Sequence, residues 1–86
     1  MKFDLFMYCT MGRRDELQSG LAGLNNDYYQ RMLSEIREIA QFADQNNWYG
    51  IGHPEHHLQI EGFEASNDLG LMASWIANAT ERLRII

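Results

Sequence analysis

Trp48-Tyr49-Gly50-Ile51-Gly52-His53-Pro54-Glu55-His56-His57-Leu58 is the stretch on which the fold turns. Its first half is short and apolar, and it lies between Asn47 and Pro54. That pattern suits a buried strand over about residues 48–53, with Gly50 and Gly52 leaving room for another backbone or a ligand. Pro54 has no amide hydrogen, so regular pairing should stop beside it. Glu55, His56 and His57 are thereby placed just past a strand's carboxyl end. All three histidines of the chain fall in this stretch. Imidazole titrates near neutrality, so histidines grouped with a carboxylate can serve as acid, base, metal ligand or pH sensor. Each taken singly is more often solvated or bonded into a core.

Upstream, Asn25, Asn26 and Asp27 offer side-chain acceptors for a helix start, with Gln30 three residues past Asp27 in a capping-box arrangement. Tyr29, Met32, Leu33, Ile36, Ile39, Ala40 and Ala43 then recur at helical spacing, predicting a helix over about 27–46 with one apolar stripe. Asn46 and Asn47 suit the left-handed turn that ends it. Before it, Cys9 to Asn26 holds three glycines and no long periodicity and reads as a loop, with room for a short helix within Asp15 to Leu21. Loops this long are usually functional. At the amino terminus, residues 2–8 are apolar on both parities, with Phe3, Leu5 and Met7 alternating with Phe6 and Tyr8. This suits a strand buried on both faces.

Downstream, Asn67 and Asp68 can cap a helix over about 68–82, with Leu69, Met72, Trp75, Ile76, Ala79 and Leu83 as its buried side. Residues 84–86 read as a third strand. The order strand, helix, strand, helix, strand makes neighbouring strands parallel. The expected fold class is α/β. Three open parallel strands and two helices leave strand edges and one sheet face without cover, which implies a larger α/β fold or a partner chain.

The chain has 86 residues, enough for one domain. Its net charge of −5 would repel a phosphate backbone, so nucleic acid is not an expected partner. Cys9 has no partner in the chain for a disulfide, and Asp4 interrupts the amino-terminal apolar run. No secretion signal or membrane span is expected, and the expected location is cytoplasmic.

These residues resemble the bacterial luciferase-like flavin-dependent monooxygenases. The resemblance rests on the Met-Lys-Phe strand at the amino terminus, the helix leading to an aromatic-rich second strand, Glu55-His56-His57 with Gly62 five residues on, and Thr80-Glu81-Arg82-Leu83-Arg84-Ile85 closing an Ala-rich helix. It covers essentially the whole chain. It implies that residues 1–86 are the amino-terminal βαβαβ part of an eight-stranded TIM barrel, a fold of about 250 residues whose active-site face is built from the loops after each strand. It further implies reduced flavin mononucleotide (FMN) as cofactor, oxygen and a small organic molecule as substrates, a separate flavin reductase, and a dimer. His56 is implied as the catalytic acid/base. Glu55 and His57 are implied to orient its ring or contact flavin, and Tyr8, Cys9 and Thr10 to line the same pocket. The sequence departs from the family pattern at Pro54, and at Ser66 where a proline is common. The phosphate-binding loops of such barrels come after strands seven and eight.

Two enzyme readings share the barrel, the second being a deazaflavin-dependent oxidoreductase that transfers hydride. A zinc site at His53, Glu55, His56 and His57 has acceptable ligand types, but Pro54 breaks the helix that a helical zinc motif needs, and no metal is expected. A non-catalytic module pairing through its sheet edges is the remaining alternative. Arg13 and Arg14, followed by Asp15 and Glu16, suit either an anion contact or a solvated cluster.

Overall fold

The computed structural model describes residues 1–86. Three strands, β1 (Asp4–Phe6), β2 (Gly50–Gly52) and β3 (Arg84–Ile85), form a parallel sheet in sequential order. Three α-helices connect them: α1 (Arg14–Leu17), α2 (Asn26–Gln45) and α3 (Leu69–Ala79), with a short 3₁₀ turn at Ala22–Leu24. Asp4, Gly50 and Arg84 share one row of the sheet, and Leu5, Ile51 and Ile85 the next. The strands are shorter than the apolar runs that contain them. Pairing nevertheless continues past their ends, since Tyr49 donates to the Phe3 carbonyl at 2.8 Å, Met7 to Gly52 at 3.0 Å and Ile86 to Ile51 at 2.8 Å. No helix is long and apolar enough to cross a membrane.

The two long helices start where short polar side chains replace missing helical acceptors. Asn25 Oδ1 accepts the Tyr28 amide at 3.1 Å, so the cap lies two residues before Asp27 and the helix opens at Asn26. Asp68 Oδ1 does the same for Leu71 at 2.9 Å. Met32, Ile36, Ala40 and Ala43 form the buried row of α2, while Ile39 lies on its flank and remains exposed. Asn47 takes a φ of 61° just past the helix, the conformation expected of an asparagine there.

The third helix ends at Ala79, earlier than its periodicity suggests. The reason lies at the far end of α2. Asp44 turns its buried carboxylate toward residues 81–83 and accepts their amides at 3.0, 2.9 and 2.8 Å. Those amides would otherwise extend α3, and a carboxylate is a stronger acceptor than a helical carbonyl. Leu83, expected on the helix, is therefore buried in the turn into β3. The carboxyl of Asp44 is held below the usual aspartate range, first by the Glu81 amide, then by those of Arg82 and Leu83 and the Arg82 charge, with burial opposing.

Both helices cover one face of the sheet. Ile51 is fully buried there with Met32, Ile36, Met72 and Ile76, and Leu5 and Ile85 pack against the same cluster. Trp75 Nε1 donates to the Leu33 carbonyl at 2.9 Å and ties α3 to α2. The opposite face carries Phe6, Tyr8 and Ile86, which are 62, 53 and 68% exposed. The expectation of a first strand buried on both sides is thus corrected. Its apolar parities face different surroundings because no element packs over the second face. Ile86 and Phe6 lean over the two glycines of β2: a Cβ on Gly50 would stand 2.6 Å from Ile86 Cδ1, and one on Gly52 would stand 3.5 Å from Phe6 Cδ2.

Candidate functional site

The chemistry-bearing residues gather where β1 and β2 end. The loop after β1 and the loop after β2 are joined there by main-chain bonds. Ala65 donates to Cys9 at 2.8 Å, Met11 to Gly62 at 2.8 Å and Gly23 to Ile60 at 2.7 Å, and within the second loop His56 donates to Ser66 at 3.0 Å. Residues 64–66 therefore lie as a rung between the end of β1 and the histidine-bearing turn. Two glycines permit this approach. A Cβ at Gly23 would meet the Ile60 carbonyl oxygen at 2.6 Å, and Gly62 takes a φ of 87°.

Beneath the rung is a buried polar cluster of Cys9, His53, Glu64 and Ser66. Glu64, 1% exposed, accepts the Cys9 amide at 2.7 Å and the Ser66 amide at 2.8 Å, one with each carboxylate oxygen. Ser66 Oγ lies 3.4 Å from Nδ1 of His53, a long contact. The Cys9 thiol is pushed up to about 12, mainly by burial and also by the Glu64 charge, with the Ser66 hydroxyl pulling the other way. It stays protonated at neutral pH and is no nucleophile. Glu64 was not among the site residues anticipated from sequence. Its one local signal is the Glu-Ala-Ser spacing, which lets a carboxylate reach the amide two residues on; its bond to Cys9 has no local signal.

The three imidazoles do not converge. His53 points to Ser66. His57 Nε2 lies 3.2 Å from Glu55 Oε2 at the surface, and His56 Nδ1 lies 3.2 Å from Gln59 Nε2. No three His, Cys, Asp or Glu side chains are grouped as a metal ion would need. Glu55 also accepts the Leu69 amide at 3.0 Å, so it caps α3 together with Asp68. Its carboxyl sits below the usual glutamate range, first because of that amide and then because of His57. Tyr8 packs against Phe6 and Phe63 at ring separations of 5.9 and 5.3 Å on the open sheet face. Cys9 is buried beside Glu64, and Thr10 is half-buried. His56 is half-buried.

The loop after β1 is fastened from α2. Arg31 donates to Glu16 Oε1 at 2.6 Å and to the Met11 carbonyl at 3.2 Å, and its guanidinium lies 4.8 Å from the Tyr28 ring centre. The same ion pair, with the Arg13 amide, lowers the Glu16 carboxyl to about 2. Arg13 and Arg14 are exposed at the start of α1, where Arg13 donates its amide to Glu16. A cleft of about 220 Å³ opens between the two loops, lined by Met11, Tyr29, Gln59, Ile60 and Asn67 among others. The largest cleft, about 360 Å³, lies between α2 and α3 and is lined by Tyr29, Leu33, Ser66, Met72 and Trp75 but by none of the histidines.

The site thus offers an aromatic wall on an uncovered sheet face, two strand-end loops locked together, and one half-buried imidazole with an amide partner. Searches against family models, curated proteins and solved structures return no match for this chain.

Proposed function

We propose that these residues are the first three strands of a TIM barrel belonging to a luciferase-like flavin-dependent monooxygenase. The observation that supports this best is the sheet itself: three parallel strands in sequential order, helices on one face, and an apolar opposite face. In a closed barrel that second face points inward, and the loops at the strands' carboxyl ends form the active-site rim. Five further strands are needed to close such a barrel, and these 86 residues do not supply them.

The residues present fit part of a flavin. Phe6, Tyr8 and Phe63 form a contiguous aromatic surface near the rim, suited to an isoalloxazine ring. Its phosphate would be held by loops after strands seven and eight. Reduced FMN supplies electrons to molecular oxygen, from which one atom passes to a small organic substrate. On this reading His56 would supply a proton or a hydrogen bond in the flavin pocket. Glu55 orders the start of α3 and contacts His57, Glu64 joins the two loops, and Cys9 and Thr10 belong to the wall below. Reduced flavin would arrive from a separate reductase, and the barrels would pair as dimers.

The test uses the complete barrel that carries these residues. Turnover with reduced FMN, counted as oxygenated substrate formed, should fall by about 10²–10⁴ in His56→Ala while flavin affinity changes little. Unchanged product formation removes His56 from the chemistry. Hydride transfer from a reduced deazaflavin with no oxygen uptake would favour the deazaflavin oxidoreductase instead.

A further inference from the structure

Gln59 has no part in the reading above, yet its side chain returns to the imidazole three residues earlier. The turn runs through Leu58, whose φ of 63° is the left-handed conformation that a leucine rarely adopts. Both partners sit on pinned backbone. The His56 amide donates to Ser66 at 3.0 Å, the Gln59 carbonyl accepts from Gly62 at 3.0 Å, and the adjacent Ile60 carbonyl accepts from Gly23 at 2.7 Å. Gln59 Nε2 stands 3.2 Å from Nδ1 of His56, and Gln59 Oε1 is buried with no hydrogen-bond partner.

An amide NH₂ donates and cannot accept. Nδ1 of His56 must therefore be the acceptor, and the neutral ring carries its proton on Nε2. Turning the amide over would offer Oε1 to an Nδ1–H. It would also bury two N–H donors at the position where Oε1 lacks a partner, and orphaned buried N–H groups are rarer than under-satisfied carbonyls. The observed orientation is the less costly of the two.

We propose that Gln59 is a positioning residue that fixes His56 as the neutral Nε2–H tautomer, so that His56 meets its ligand as a hydrogen-bond donor. Such a donor suits an oxygen atom that carries or gains negative charge, and it does not suit abstraction of a proton, because Nε2 already bears a hydrogen and has no free lone pair in the ring plane. The role toward a ligand rests on the proposed action of His56; the tautomer itself does not.

Long-range ¹H–¹⁵N correlation of the histidine rings, at a pH where they are neutral, reads the tautomer directly. The unaltered protein should show Nε2 protonated and Nδ1 bare. Gln59→Leu removes the donor and should give a mixture of tautomers. Gln59→Glu places an acceptor there and should move the proton to Nδ1. A proton on Nδ1 in the unaltered protein overturns the proposal without recourse to any variant, and so do ring nitrogen signals unchanged in both variants. In the complete barrel, Gln59→Glu should lower kcat about a hundredfold with KM little changed. Tautomers that move as expected while kcat holds would uphold Gln59 as the fixing residue and overturn the donor role of His56.

Discussion

The carboxylate of Glu64 accepts the main-chain amide of Cys9 at 2.7 Å, across fifty-five positions of sequence, and with its other oxygen it takes the amide of Ser66 at 2.8 Å. One buried side chain thereby fastens the end of the first strand to the turn that backs His56. Glu64→Ala would leave two buried amides unpaired, each worth about 1–3 kcal/mol. Glu64→Gln should cost less, since one amide keeps an acceptor. Urea unfolding of the two variants should rank them in that order; equal midpoints for Ala and wild type would show that the clasp contributes nothing.

Cys9 should behave as an inert thiol. It is fully buried and its thiol is raised to about 12, so labelling by an aromatic disulfide at mildly alkaline pH should proceed only as fast as the chain opens. Rates should rise with urea in parallel with unfolding, and Glu64→Ala should speed them. Fast labelling of the folded protein would contradict this placement.

Acid should weaken the junction between α2 and β3. The Asp44 pKa is depressed in the folded chain by the amides of residues 81–83, so its contribution is fully present above the ordinary aspartate range and is lost as pH falls through the lowered value. Glu16 adds a contribution of the same sign that persists until pH nears about 2. Asp44→Asn should unfold at lower urea than wild type near neutral pH, and the gap should narrow on acidification to about pH 3. A gap that widens instead would reverse the sign assigned here.

Leu58→Gly should stabilise the chain. Leu58 is almost wholly exposed and left-handed, so the substitution loses no burial and relieves a conformation costing about 1–2 kcal/mol. The greater freedom of glycine in the unfolded chain offsets about 0.4–1 kcal/mol of that gain. Thermal unfolding of the variant should show a small rise; a fall would mean that the leucine side chain has a contact partner.

What was legible in sequence was whatever is encoded locally. The stripe of Met32, Ile36, Ala40 and Ala43, the caps at Asn25 and Asp68 and the left-handed Asn47 all depend on neighbours within a turn or two. The early end of α3 was not legible, because it depends on Asp44, thirty-seven positions before Glu81. Phe6 and Tyr8 read as buried since their apolar character matches that of Leu5 and Met7, and nothing in a strand's own residues tells which face will be covered. At the candidate site the histidines were visible and their partners were not. Glu55 reads as a member of the imidazole cluster, but its carboxylate also caps a helix fourteen residues away. Glu64 and Gln59 lie in an aperiodic loop, where only the folded chain shows what each side chain reaches.

The contact of Gly23 with Ile60 bears on how these two loops could be re-engineered. Main chain lies against main chain there, with no side chain between to shrink or swing aside, and a single added methyl would sit 2.6 Å from the Ile60 oxygen. Neither loop can be exchanged as an independent cassette without giving up the Gly23–Ile60 and Met11–Gly62 bonds. A transplant that keeps the turn of His56 in place must therefore carry the glycine-bearing segment of the other loop with it.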